Sequence, residues 1–175
     1  MPDTDKNEFR EWTKSIIIAI LLALIIRALI VEVVVVDGQS MLPTLHSEER
    51  LIVSKVQYYL REPQFGEIVV FKATSERDFI KRVIAVAGDE VLVDLDGVYV
   101  NGQLLDEPYV LEKAGEPFGP IVVPEGTVFA MGDNRNNSMD SRHPGVGFIS
   151  LSAVKGKAMC VFWPLNSVRL LTHHF

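Results

Sequence analysis

Two residues in this sequence have the setting needed to act on each other as nucleophile and base. Ser40 stands in Asp37-Gly38-Gln39-Ser40-Met41-Leu42-Pro43-Thr44-Leu45, where a long apolar segment breaks off at a glycine, a hydroxyl and a proline. Gly38 lets another main chain come close and Pro43 stops any helix or strand from running through, so Ser40 is expected at a bend. Taken alone, a Gly-x-Ser is an ordinary polar turn. The second residue is Lys81, in Asp78-Phe79-Ile80-Lys81-Arg82-Val83-Ile84-Ala85-Val86, a lysine inside an apolar strand. A period of two sets Phe79, Lys81, Val83 and Ala85 on one face and Ile80, Arg82, Ile84 and Val86 on the other. An ammonium beside Phe79 and Val83 is partly desolvated, which favours the neutral amine. Its pKa is then pulled from about 10.4 towards the 7 to 8 that suits a general base near neutrality. Arg82 and Arg135, if close, would push the same way. Arg82 itself cannot be the base, because a guanidinium keeps its proton in proteins; it is expected to pair with a carboxylate. Taken alone, Lys81 reads as a lysine snorkelling from an edge strand. A serine next to a desolvated lysine, however, replaces the Ser-His-Asp triad in known hydrolases, so the two stretches strengthen each other.

A third polar stretch, Gly132-Asp133-Asn134-Arg135-Asn136-Asn137-Ser138-Met139-Asp140-Ser141-Arg142-His143, follows the apolar run Thr127 to Met131. By composition it is a solvated loop. With the other two it gains a function: Asp133 or Asp140 can pair with Arg135, Arg82 or Arg142 to lock the loop, and Ser138 can orient an amine. A Ser-His-Asp hydrolase built on Ser40, His143 and Asp140 is the rival in the same reaction class. It lacks a G-x-S-x-G elbow, and His143 lies next to Pro144. Ser152-Ala153-Val154-Lys155 matches S-x-x-K, but no S-D-N or K-T-G accompanies it.

The elements that must position these residues follow from composition and pattern. A chain of 175 residues, 48% hydrophobic and 23% charged, has room for one membrane segment and one compact domain. A net charge of -6 and the lack of an aromatic-basic stripe argue against nucleic acid. Cys160 is the only cysteine, in a run that reads as a buried strand. No intrachain disulfide is therefore possible, and no Cys/His spacing suits a metal. Residues 1–14 read as a short polar tail. From Ile16 to Val36 only Arg27 and Glu32 are charged, about the length that crosses a bilayer, and Val-Val-Val-Val-Asp is no signal-peptide cleavage site. The span is assigned to residues 15–31, because Val33 to Val36 is β-branched and suits a strand better. Lys6, Arg10 and Lys14 before the span, against Arg50 and Lys55 after it, favour the N-terminus inside. Residues 32–175 then form a domain on the outer side. Within it, Leu51 to Val56, Gly66 to Lys72, the Lys81 strand, Glu90 to Val93, Val98 to Val100, Ile121 to Val123, Thr127 to Met131, Gly147 to Leu151 and Val154 to Trp163 read as strands. Turn residues separate them, the Gly66 and Lys81 strands form a hairpin, and Leu104 to Pro120 reads as a long loop. No helix-length segment alternates with strands, which predicts a mainly β, antiparallel domain with one N-terminal transmembrane helix.

Four segments in order resemble the bacterial type I signal peptidases: Ser40 to Leu45, Gly66 to Phe71, Lys81 to Asp89 and Gly132 to Arg142. These are membrane-bound Ser-Lys proteases that cleave signal peptides from exported precursors. The chain is most similar to the compact Gram-positive form. The resemblance implies a type II single-pass membrane endopeptidase with an extracytoplasmic catalytic domain of the signal peptidase type. Ser40 would be the nucleophile and Lys81 the general base, with Ser138 positioning the amine and Asp133, Arg135, Asp140 and Arg142 bracing the site. It implies signal peptides and the lipid bilayer as partners, small residues one and three positions before the cut, and no metal or cofactor. One position departs from the pattern. Some members carry a serine two places before the nucleophile that completes the oxyanion hole, and here it is Gly38, which leaves the Ser40 main-chain N–H as the identified donor. Gly38→Ser is therefore expected to hold or raise activity unless the backbone there requires glycine. A membrane-tethered β adaptor that binds exported chains without cutting them is the rival of another class.

Overall fold

The structure, a computed structural model, describes residues 3–171. A long helix, α1 (Asp3–Leu29), opens the chain, so the expected polar tail is helical from Asp3 onward. Ile30 is the turn at which leucine and isoleucine give way to β-branched valines, and β1 (Val31–Val35) follows at once. The remaining elements are β2 (Arg50–Ser54), a single helical turn α2 (Gln57–Leu60), β3 (Ile68–Lys72), β4 (Asp78–Val86), β5 (Glu90–Asp94) and β6 (Gly97–Val100). They continue with β7 (Gln103–Leu104), β8 (Phe118–Val122), β9 (Thr127–Met131), β10 (Ile149–Ser150), β11 (Val154–Trp163) and β12 (Arg169–Leu170). Among the described residues no helix is long and apolar enough to cross a membrane.

Every strand pairing is antiparallel, as the absence of βα alternation implies. The large sheet runs β1-β2-β11-β3-β4-β9-β10, with β12 added to β11, and the small one runs β7-β6-β5-β8. Two expectations need correcting. The region from Leu104 to Pro120 is not all loop, because it ends in β8. Pro120 concealed that strand, and β8 is an edge strand, where a missing N–H is tolerated. Cys160 is only partly buried, although its neighbours Ala158 and Val161 are fully so.

Strand β4 is the spine of the domain. It pairs with β3 from Asp78 to Arg82 and with β9 only from Arg82 to Val86. A register shift between Val83 and Ala85 breaks the simple alternation. Val83 and Val86 therefore share a core cluster with Phe79, whereas Ala85 joins Ile84 in the other, under Phe129 and Met131. The face assignment made from period two holds through Ile84 and reverses beyond it. Asp78 to Lys81 pair with β3 alone, and β1 pairs with β2 alone. Both of those strand edges border a cleft of about 560 Å³.

Candidate active site

Ser40 sits on a loop that leaves β1 and returns to β2, closed at its neck by Val36 N donating to Glu49 O (2.8 Å) and Glu48 N to Val36 O (2.9 Å). The turn that Gly38 and Pro43 predict is present. The 132–142 loop is fastened onto it: Asn134 N donates to Ser40 O (3.0 Å), and Asn134 Nδ2 to Gln39 O (3.1 Å). Gly132 makes this approach possible. A Cβ there would lie 2.4 Å from Ser40 O and 2.3 Å from Ser138 Oγ, closer than any real side chain comes.

Lys81 reaches Ser40 from β4. Its Nζ lies 2.7 Å from Ser40 Oγ and 2.9 Å from the Ile80 carbonyl, which accepts from it. The lysine is 3% exposed, and its amine stands 5.2 Å from the centre of the Phe79 ring. Burial brings its pKa down to about 8, although the charges of Asp140 and Asp133 pull it upward. The charges that perturb Lys81 are thus acidic. The fall comes from desolvation and not from neighbouring arginines.

Around this pair the ions separate into three couples. Arg82 holds Asp133 through both carboxylate oxygens, Nε to Oδ1 at 2.9 Å and Nη2 to Oδ2 at 2.7 Å. It also donates to Gly66 O (3.0 Å) and lies over the Tyr109 ring at 3.9 Å. Thr44 Oγ1 completes the Asp133 site at 2.5 Å, tying the Ser40 loop to the same clamp. Arg142 grips Asp140 (2.9 and 2.8 Å), whose Oδ2 also accepts Gly132 N at 3.0 Å. Burial would raise the Asp140 carboxyl, but Arg142 and the Gly132 N–H outweigh it and hold the group below its usual range. Arg135 turns away from both aspartates and binds Glu107 (2.8 and 2.6 Å).

Ser138 Oγ is buried near the Asp140 carboxylate, close enough to favour its charged form, yet it makes no hydrogen bond of acceptable geometry, to Lys81 or to any other group. His143 is exposed, and its Nδ1 accepts Gly145 N (3.0 Å), so it meets neither Ser40 nor the Asp140 carboxylate. Lys155 of the S-x-x-K match pairs with Asp78. Thr44, Asn134 and Gly132 lay inside the quoted motifs without an assigned role. Glu107 and Tyr109 gave no signal, since they lie in the proline-containing stretch read as loop.

Gly38 has a φ of +95°, with nothing within 4 Å of where a Cβ would stand. Space is available for a serine, but that backbone conformation is strained for any residue with a side chain, by roughly 1–3 kcal/mol. The backbone requirement therefore reverses the expectation from the sequence. Gly38→Ser is expected to lower stability in urea by about 1–3 kcal/mol and to reduce kcat on a peptide substrate. Activity at or above that of the native protein would mean that the loop absorbs the strain and that the added hydroxyl serves as a donor.

Comparison with known proteins accords with this geometry. The family described as signal peptidase, peptidase S26, matches residues 9–163. A signal peptidase I from Bacillus licheniformis is 44% identical, covering 94% of this chain and 94% of that protein. Signal peptidase I T from Bacillus subtilis (strain 168) is also 44% identical, over 93% of this chain and 90% of its own. The crystal structure of a signal peptidase I from Enterococcus faecalis V583 is 30% identical with a TM-score of 0.49, covering 55% of this chain and 97% of that one. With a family match across nearly its whole length and relatives of this identity, the chain belongs to the bacterial type I signal peptidases, peptidase S26, in the compact Gram-positive-like form.

Proposed function

We propose that this signal peptidase is a membrane-bound endopeptidase that cleaves signal peptides from exported precursors with a Ser40–Lys81 dyad. The observation that carries the reading is the Lys81 amine, buried and brought to about pKa 8, at 2.7 Å from Ser40 Oγ. As the neutral amine it has a lone pair for the Ser40 proton, while Ile80 O holds one of its N–H groups and fixes its direction. Ser40 Oγ attacks the scissile carbonyl as its proton passes to Lys81. The Ser40 main-chain N–H is the donor assigned to the oxyanion. Lys81 then returns the proton to the departing amine, leaving the peptide acylated on Ser40, and a water deprotonated by Lys81 releases it. Ser138 Oγ, buried beside the Asp140 carboxylate, is assigned the role of accepting a remaining amine hydrogen once substrate closes the site.

The precursor binds as an extended strand in the cleft between β1 and the first residues of β4, both of which offer unpaired main-chain edges. Residues one and three positions before the cut then face the same side, which is how a small-x-small rule would be read. The bracing roles of Asp133, Arg135, Asp140, Arg142 and Arg82 follow from their ion pairs. Neither rival gains support from a specific contact: His143 is turned away, and an adaptor has no use for a desolvated amine against a hydroxyl.

The membrane anchor belongs to the same proposal. Along α1 the large apolar side chains from Ile16 to Leu24 are all exposed, whereas a helix of a soluble domain buries an apolar stripe. Protease added to spheroplasts is expected to degrade the domain after residue 36 and spare a tag at residue 1; a protected C-terminal domain would reverse the orientation. The activity itself is tested on a purified precursor with an Ala-x-Ala site. Cleavage at that site is expected, and binding without cleavage would favour the adaptor.

A further inference from the structure

The Ser40 loop is held at its far side by a residue outside the segment that defines the family match, which ends at residue 163. Beyond Trp163 the chain turns back, and β12 adds to β11 through Cys160 with Leu170 and Val161 with Arg169, followed by Leu171 N donating to Met159 O at 2.9 Å. From β12 the Arg169 guanidinium reaches across to the loop. Nη1 donates to Glu49 Oε1 (2.7 Å), and Nη2 donates to Glu49 Oε2 and to Thr44 O, both at 2.6 Å. Glu49 is 4% exposed, and its Oε2 also accepts His46 N (3.0 Å), so its carboxylate knits the returning arm of the loop. Thr44 is therefore fixed at two points: its carbonyl by Arg169, and its hydroxyl by Asp133 within the Arg82 clamp.

We propose that Arg169 is a positioning residue for the Ser40 reaction, β12 serving as a strap that fixes the Ser40 loop against Lys81 through Glu49 and Thr44. The inference rests on the reading of Ser40 as nucleophile. A bidentate guanidinium–carboxylate pair fixes angle as well as distance, which a point charge does not. Thr44 lies four residues after Ser40, so slack at Thr44 is passed to Oγ, and a displacement of about 1 Å at a reacting group can lower a rate by roughly 10²-fold. Arg169 is not among the charges that shift Lys81 and does not line the cleft, so its loss is expected to leave the pKa of the base and the binding of substrate in place.

The test compares the full-length protein with Arg169→Ala, Arg169→Lys and Leu170→Ala, the last altering a side chain that is 77% exposed and outside the clamp. Cleavage of a peptide substrate is followed against pH, with the folded fraction measured in parallel and Ser40→Ala included. Arg169→Ala is expected to lower kcat by about 10- to 100-fold with KM within about twofold and the acidic limb of the profile unmoved. Arg169→Lys should fall between it and the native protein, and Leu170→Ala should match the native protein. Added guanidinium should restore part of the Arg169→Ala rate. Native kcat per folded molecule in Arg169→Ala, or a loss that tracks only the unfolded fraction and is not relieved by guanidinium, would overturn the proposal. Cleavage by Ser40→Ala would instead remove the reading on which it rests.

Discussion

Ser40→Ala and Lys81→Met are each expected to abolish cleavage in a protein that remains folded. Loss of the nucleophile or of the base in a serine protease costs on the order of 10⁶-fold in kcat, and the two losses are not additive because the groups act as one unit. Lys81→Arg should be as inactive as Lys81→Met, since it keeps the charge but gives up no proton. His143→Ala and Cys160→Ser should keep most activity, His143 being occupied by the Gly145 N–H and Cys160 lying within β11. Lys81→Met carries a second signature. A folded-state pKa of about 8 against an ordinary 10.5 means that the unfolded chain binds more protons between those values. Native stability therefore rises with pH from about 8 to 10.5, and below pH 8 the buried amine costs about 3 kcal/mol at 1.36 kcal/mol per unit. Methionine removes that cost, so its urea midpoint should exceed the native one at pH 7 and converge on it by pH 11. Turnover by either Ser40→Ala or Lys81→Met would end the dyad.

Breaking the Arg82–Asp133 couple is the largest stability effect to expect. The pair is 1% and 0% exposed and bidentate, and removing one partner strands the other charge away from water, at about 3–5 kcal/mol. Arg82→Ala or Asp133→Ala should lower stability by that amount in urea. Activity should fall as well, because the hydroxyl anchor of Thr44 in the Asp133–Arg82 clamp is disturbed and only the Arg169 contact to its carbonyl is left intact. A double replacement with apolar residues, Arg82→Met with Asp133→Leu, should recover much of the stability without the activity, as a desolvated ion pair can be replaced by packing but not its hold on Thr44. A loss below about 1 kcal/mol in the single variants would mean that water reaches the site and that the clamp acts as a surface pair.

The site was legible in the sequence wherever the chemistry is local. A glycine–proline bend carrying a serine, a cation inside an apolar strand and an alternating acid–base loop each declare themselves by neighbours, and the structure brings Ser40 and Lys81 to hydrogen-bond distance. The strands were legible for the same reason, from β-branched runs between turn residues. What pairing decides across the chain was not legible. The six possible aspartate–arginine pairs resolve only in space, where Arg135 leaves the aspartates for Glu107 in a stretch that carries no periodicity. The bulge after Val83 moves Ala85 to the opposite face without any mark in the residue types. Arg169 is likewise an ordinary exposed arginine until β12 folds back onto β11 and brings it to Glu49.

The most direct test of the Ser40–Lys81 dyad is the titration of Lys81 itself, by NMR of labelled lysine side chains with assignment from Lys81→Met, alongside kcat/KM against pH on a peptide substrate. The account predicts an amine titrating near 8 and an acidic limb of kcat/KM with the same midpoint. An amine that stays protonated to about 10 in an enzyme still active at pH 7 would contradict it and assign the base to another group.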